Sequence, residues 1–216
     1  MEIASYILTA LAAYLLGSIP TGYLVARSRG VDIRTVGSGN IGATNVLRIL
    51  GKPAGIFVLL MDALKGFVAC RFFGVFIYRL LAGPVVEDSS MEEFLKITGG
   101  IFAILGHNYT CFLKFKGGKG IATSSGVALA LLPVALGISL TLWVVVLVLT
   151  RYVSVASIAA AAVLPFAAWW PGDNTRTMIA VAAVIGALAI YKHRTNMQRL
   201  MNGTENRVGK KKETAS

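Results

Sequence analysis

Long apolar runs separated by short polar stretches fill almost the whole chain. The first run, Ile3–Val25, is long enough to cross a hydrocarbon core of roughly 30 Å as a helix. Gly17-Ser-Ile-Pro-Thr-Gly22 interrupts its far end, and Pro20 predicts a kink there. Small residues at that point suit a close helix–helix contact, and a bend suits space beside the next polar stretch; both readings stand. A second run, Ala54–Leu81, holds Asp62 and Lys65 on one helical face. Phe94–Leu105 is short for a full span and carries Lys96 at its outer end. Ile121 to about Leu132 is again short and stops at Pro133, while Ala135–Leu149, Tyr152–Trp170 and Thr177–Tyr191 complete the series. The expected fold is an all-α membrane protein with seven transmembrane helices, several of them short or broken.

Composition agrees with that class. Of 216 residues, 56% are hydrophobic and 14% charged, where a soluble domain is about a quarter charged. The mean hydropathy is +0.70. With no internal repeat and no long linker, one membrane domain over residues 1–216 is expected. The net charge of +11 raises nucleic acid as a partner, but the basic residues sit at the ends of apolar runs. That placement fits topology and an anionic lipid surface instead. Arg27, Arg29, Arg34, Arg48 and Lys52 set the first loop on the cytoplasmic side, with the N-terminus outside. Glu87, Asp88, Glu92 and Glu93 mark an outer loop, and Trp169-Trp170 suits an interfacial belt. Lys192-His-Arg and the Lys210-Lys-Lys212 tail place the C-terminus in the cytoplasm. Glu2 stands where a signal peptide would be basic, so the first helix is expected to be retained. Cys70 and Cys111 lack metal spacing and read as filler.

Three polar stretches then share the cytoplasmic side: Ser38–Arg48, Gly106–Thr123 and Lys192–Glu205. In the first, Gly37-x-Gly39-x-x-Gly42 matches the dinucleotide fingerprint literally. No strand precedes it, so a Rossmann site is rejected. The physics that survives is glycine-rich backbone whose N–H groups turn toward an anion, followed by a helix start at Ala43. Gly117-Gly-Lys-Gly120 fails as a Walker A loop because Gly120 replaces the Ser or Thr that holds magnesium. A lysine between glycines still makes a phosphate clamp, and three glycines exceed what topology requires. If the last helix continues, His193 and Asn196 share a face and suit a polyol phosphate. His107 ends a short helix and is weighed as a cap. The Asp62–Lys65 pair reads as an internal ion pair orienting its helix ahead of a substrate contact. Histidines and cysteines are too scattered for zinc, and no Gly-x-Ser-x-Gly elbow supports an acyl-serine intermediate.

Taken together, Gly17-Ser-Ile-Pro20, the Gly37–Arg48 segment, Asp62-Ala-Leu-Lys-Gly66, Phe112–Thr123, His193-Arg-Thr-Asn196 and Gly203-Thr-Glu205 resemble a known family. It is the bacterial integral-membrane glycerol-3-phosphate acyltransferase that uses acyl phosphate as donor. The likeness runs along nearly the whole chain; Asn108-Tyr-Thr-Cys111 and the acidic outer loop look less typical. The resemblance implies transfer of an acyl group from acyl phosphate to the 1-hydroxyl of glycerol 3-phosphate, giving lysophosphatidic acid and inorganic phosphate. That is the first committed step of bacterial phospholipid synthesis. It implies seven helices in the bacterial plasma membrane with the active site at the cytoplasmic face, no cofactor or metal, and membrane lipids as surroundings. A monomer is expected.

Carried over by position, Ser38, Arg48, Lys119 and His193 are the catalytic candidates. Gly37, Gly39, Asn40, Thr44, Asn45, Gly117, Gly118, Gly120, Thr123, Asn196 and Glu205 are the substrate-binding candidates. Arg48 would fork onto one phosphate and Lys119 would neutralise the other. Ser38, Asn40, Thr44 and Asn45 would donate to phosphates and the developing oxyanion. His193 and Asn196 would position glycerol 3-phosphate, and Glu205 would orient the basic groups. The hydroxyl's proton goes to His193 or to a substrate phosphate oxygen, and the sequence leaves that choice open. Two rivals predict otherwise. A metabolite transporter needs a midplane site and symmetric halves. A lipid-binding adaptor needs charge and tolerates Asn45→Ala.

Overall fold

The computed structural model describes residues 1–83, 88–170, 172 and 174–209. Glu87 and the Lys210–Lys212 tail lie outside the described residues. The chain forms two compact units, Met1–Pro133 and Val134–Ser216. Every described regular element is helical.

In the first unit, α1 (Glu2–Ser18) and α2 (Thr21–Arg27) are one apolar run broken at Ile19-Pro20. Pro20 has no N–H to continue the ladder. The Thr21 N–H bonds the Ile19 carbonyl instead, at 3.0 Å. The expected kink is present, and the small residues also have their own use. A Cβ at Gly17 would lie 2.1 Å from the Ala103 carbonyl oxygen, so α1 meets α6 backbone to backbone.

After a loop come α3 (Ala43–Leu50) and α4 (Lys52–Val68), the latter opened by Pro53 in its first turn. A π-helical turn (Ala69–Phe73) leads into α5 (Gly74–Ala82). The helix α6 runs from Ser89 to Asn108, longer at both ends than the expected Phe94–Leu105. Asp88 caps it by accepting the Ser90 N–H at 2.7 Å. Glu92 and Glu93 therefore belong to a helix and not to a loop. Glu92 forms an i,i+4 ion pair with Lys96, which makes a polar first turn compatible with an apolar helix. Ahead of α7 (Ile121–Leu131) lies a single 3-10 turn, Cys111–Leu113. Close approach recurs between α4 and α7, where a Cβ at Gly126 would lie 1.8 Å from the Ala63 carbonyl oxygen.

The second unit comprises most of α8 (Pro133–Thr150), then α9 (Val153–Trp169), α10 (Arg176–Lys192) and α11 (Arg194–Met201). Helices α9 and α10 pack where Gly186 approaches the Ala161 carbonyl. The Trp143 indole donates to Ser157 Oγ at 3.2 Å. Trp169 and Trp170 are exposed at the end of α9. The last helix does not continue through His193, as the shared face with Asn196 assumed. It breaks there, and α10 and α11 differ in direction by 49°.

By length and composition, Glu2–Arg27 and Pro133–Thr150 are each able to cross a membrane, and the bent α10–α11 pair would be a third. Exposed Leu8, Leu11 and Leu15 on α1, Leu60 on α4, Phe76 on α5, and Val148 and Leu149 on α8 give those helices apolar outer faces. Large apolar side chains left outside a folded chain require an apolar surrounding.

Candidate functional site

The loop before α3 is closed by a single side chain. Asn45 is 2% exposed. Its Nδ2 donates to the carbonyls of Asn40 (2.9 Å), Val36 (3.1 Å) and Ile33 (3.3 Å). Its Oδ1 accepts the Ser38 N–H at 2.9 Å. Asn40 acts locally too, its Oδ1 accepting the Gly42 N–H at 2.7 Å. The sequence-based expectation made both amides donors to substrate. In the structure Asn45 holds the loop and its donors face inward. Gly37 and Gly39 have φ of +63° and +71°, a conformation glycine adopts without penalty. Gly37 has a second reason, because a Cβ there would lie 2.3 Å from Asn45 Oδ1.

With Asn45 and Val46 buried, α3 turns Thr44 and Arg48 outward, four residues apart on one exposed face. At its start the Ala43 and Thr44 N–H groups have no intrahelical acceptor, the usual condition for holding an anion. Ser38 stands half-buried at the mouth of this loop. Across the loop's base, Asp32 takes the Arg34 guanidinium at 2.6 and 2.9 Å. That donor set, with the Arg34 backbone N–H, lowers the Asp32 pKa to about 2.

Gly117–Gly120 forms a strap lying on the last turn of α6. A Cβ at Gly117 would lie 2.0 Å from the His107 carbonyl oxygen. One at Gly118 would lie 2.1 Å from His107 Nε2, and one at Gly120 2.6 Å from Asn108 Oδ1. The Gly118 N–H donates to the His107 carbonyl at 3.0 Å. The glycines are thus accounted for by close packing on His107 and Asn108, and the strap presents a half-buried Lys119 between them. Thr123 lies just inside α7 with no exposed surface, packed against Gly66 of α4.

His107 is not a simple cap either. It is buried, with Nδ1 3.6 Å from Asp62 Oδ1. The expected Asp62–Lys65 ion pair is present at 2.8 Å, buried on both sides.

In the second unit, Glu205 is the centre. It accepts from Asn196 Nδ2 at 2.8 Å, Arg199 Nε at 2.9 Å and Ser154 Oγ at 3.1 Å. The break at His193 has its own fastening, Nδ1 to the Ala189 carbonyl at 2.8 Å. A carbonyl only accepts, so Nδ1 carries the hydrogen and a neutral ring keeps its lone pair on Nε2. Sequence reasoning missed Ser154, which is indistinguishable from the other small residues of its apolar run. It also missed Arg199, three residues beyond Asn196 and within one turn of it.

The sequence profile described as glycerol-3-phosphate acyltransferase matches residues 7–203. A protein so named from Geotalea daltonii is 47% identical over 202 residues, covering 94% of this chain and 97% of its own length. One from Clostridioides difficile is 44% identical over 214 residues, covering 99% of this chain and 100% of its own. The fold is similar to the glycerol 3-phosphate form of PlsY (YgiH), an integral membrane glycerol 3-phosphate acyltransferase. The TM-score is 0.81 at 40% identity, covering 95% of this chain and 96% of that one.

Proposed function

The chain belongs to the glycerol-3-phosphate acyltransferase family, and from that premise we propose that it acylates glycerol 3-phosphate at the 1-hydroxyl using an acyl phosphate. The products are lysophosphatidic acid and inorganic phosphate. The observation that carries the reading is the Asn45-fastened loop, which fixes the start of α3 and leaves Thr44 and, in the last turn, Arg48 exposed on one face of that helix.

The reaction suits a site of this kind. An acyl phosphate is an activated mixed anhydride. The substrate hydroxyl attacks its carbonyl carbon, the bond to the phosphate oxygen breaks, and phosphate leaves with the electron pair. No covalent enzyme intermediate is needed. Arg48 grips one phosphate in a two-toothed fork and Lys119 neutralises the other. Ser38, Thr44 and the first-turn amides of α3 donate to phosphate oxygens and to the developing oxyanion. Asn45, Gly37 and Gly39 act by shaping the loop, and Gly117, Gly118 and Gly120 by seating the strap. Asn196 and His193 position glycerol 3-phosphate, with Glu205 holding Asn196. The hydroxyl's proton goes to His193 Nε2 or to a substrate phosphate oxygen. The protein acts as a monomer of seven crossings in the bacterial plasma membrane, N-terminus outside, with its chemistry at the cytoplasmic face.

Purified protein given acyl phosphate and radiolabelled glycerol 3-phosphate, without coenzyme A or metal, should form labelled lysophosphatidate. Parallel reactions with acyl-coenzyme A and acyl carrier protein as donors should not. Absence of product from acyl phosphate would falsify the proposal. Full turnover by Arg48→Ala or Lys119→Ala would remove the residue assignment while leaving the activity.

A further inference from the structure

We propose that Asp62 is a positioning residue that keeps the Gly37–Arg48 loop and the Lys119 strap in register. The inference rests on the reading that each of these segments takes a substrate phosphate. Asp62 lies in the second half of α4 and is 2% exposed. A single oxygen, Oδ1, meets three partners, and two of them lead to the two segments.

The first arm runs through Thr21, whose hydroxyl donates to Oδ1 at 3.2 Å. Thr21 opens α2, and its neighbour Gly22 supports the loop from beneath. A Cβ at Gly22 would lie 1.9 Å from the Ile41 carbonyl oxygen. Packing that tight passes a shift of Thr21 directly to the backbone between Asn40 and Gly42. Ile41, Val46 and Ala26 share one buried cluster with Val58 of α4, which stiffens the connection.

The second arm is His107. Its Nδ1 is 3.6 Å from Oδ1, close enough for electrostatic attraction and too long for a direct hydrogen bond. Its Nε2 lies under Gly118, where no Cβ fits, and Lys119 is the next residue. Lys65 completes the centre. Its ammonium is 2.8 Å from Asp62 and 2.9 Å from the Ile19 carbonyl oxygen. The carboxylate is thereby fixed to the break between α1 and α2.

An ion pair serving only to orient α4 would need Lys65 and nothing else. The signature of the wider role is that neutralising the centre disturbs recognition of both substrates together. The test measures KM separately for glycerol 3-phosphate and acyl phosphate, with protein in phospholipid nanodiscs. Asp62→Asn/Lys65→Met removes both charges at similar volume, so the fold need not hold one buried charge alone. This variant should unfold near the wild-type temperature yet raise both KM values at least fivefold. Thr21→Val should raise only one of them, and Asp62→Glu should recover part of the loss seen in Asp62→Asn. Lys96→Met, which breaks the pair with Glu92 at the start of α6, is the control and should leave both unchanged.

A folded double variant with both KM values within twofold of wild type overturns the inference, and so does one that raises only one. If the double variant does not fold, Thr21→Val and His107→Gln each cut one arm while leaving the ion pair intact. They must then raise different KM values; the same one, or none, overturns the proposal. Wild-type protein that forms no lysophosphatidate defeats the functional reading, an outcome visible before any variant is made.

Discussion

Asn45 and Ser38 are joined across seven residues of chain by one hydrogen bond, 2.9 Å from the Ser38 N–H to Asn45 Oδ1. The same amide satisfies three carbonyls. Asn45→Ala would leave four backbone groups in or beside the core without this partner. A loss of about 3 kcal/mol follows, with turnover falling as the loop opens. Asn45→Asp should be at least as damaging, since it turns a carboxylate oxygen toward three carbonyl oxygens. Thermal unfolding in detergent and lysophosphatidate formation check both. Full lysophosphatidate formation by Asn45→Ala would show that this fastening does not govern turnover.

Gly118 and Gly137 should respond oppositely to alanine. At Gly118 the added methyl strikes His107 Nε2, so the ring or the strap must move. Misplacing a phosphate-binding group by about 1 Å lowers turnover by roughly a hundredfold. At Gly137, inside α8, nothing lies within 4 Å of a built Cβ. Alanine there should be neutral or stabilising by up to about 1 kcal/mol. Melting temperature and kcat, measured on both variants, separate the cases.

Glu205→Gln keeps one acceptor oxygen but turns an NH2 toward donors, in place of a carboxylate that serves Asn196, Arg199 and Ser154. Hydrogen bonds to charged groups contribute about 1.5–3 kcal/mol each. A loss of about 2 kcal/mol is expected, with KM for glycerol 3-phosphate raised through Asn196. Arg199→Ala should produce a smaller effect, because it removes one donor and leaves Glu205 two. Unfolding curves and substrate titrations of both variants test the ranking.

Asp32 gives a pH prediction. Its pKa is lowered from 3.8 to about 2, chiefly by the hydrogen bond from the Arg34 side chain. The contribution of a carboxylate lowered in this way is fully present above its unfolded pKa and is lost as pH falls through the folded value. The Asp32–Arg34 fork should therefore hold unchanged from about pH 5 upward and open only in strong acid. The carboxyl carbon shift of Asp32 in labelled protein should titrate near 2. A midpoint at 3.8 or above would mean the fork is absent in solution, and Arg34→Ala should produce that midpoint.

The hydrophobic pattern carried much of the fold because a span announces itself by length, and Pro20 announces its own break. It failed at α6, where Glu92 and Lys96 interrupt the apolar run without interrupting the helix. It failed again at His193, because nothing in Tyr191-Lys-His-Arg forbids a continuous helix. The Gly37–Arg48 loop and the strap stood out as unusual, and their physical reason did not. Glycines that admit an anion and glycines that admit a neighbouring carbonyl look alike in one dimension. In sequence Asn45 reads as a donor to ligand, because its partners at Ile33, Val36 and Asn40 are ordinary carbonyls that no side-chain pattern encodes.

The proline break and Lys65 answer each other's faults. The Ile19 carbonyl accepts both the Thr21 N–H and the Lys65 ammonium, and straightening α1 into α2 by Pro20→Ala would turn it along the helix axis and away from that ammonium. Removing Lys65 alone would take from the buried Asp62 its ion-pair partner and from the opened turn one of its two donors. Either repair, made singly, creates a defect, so this corner can only be redesigned as a set.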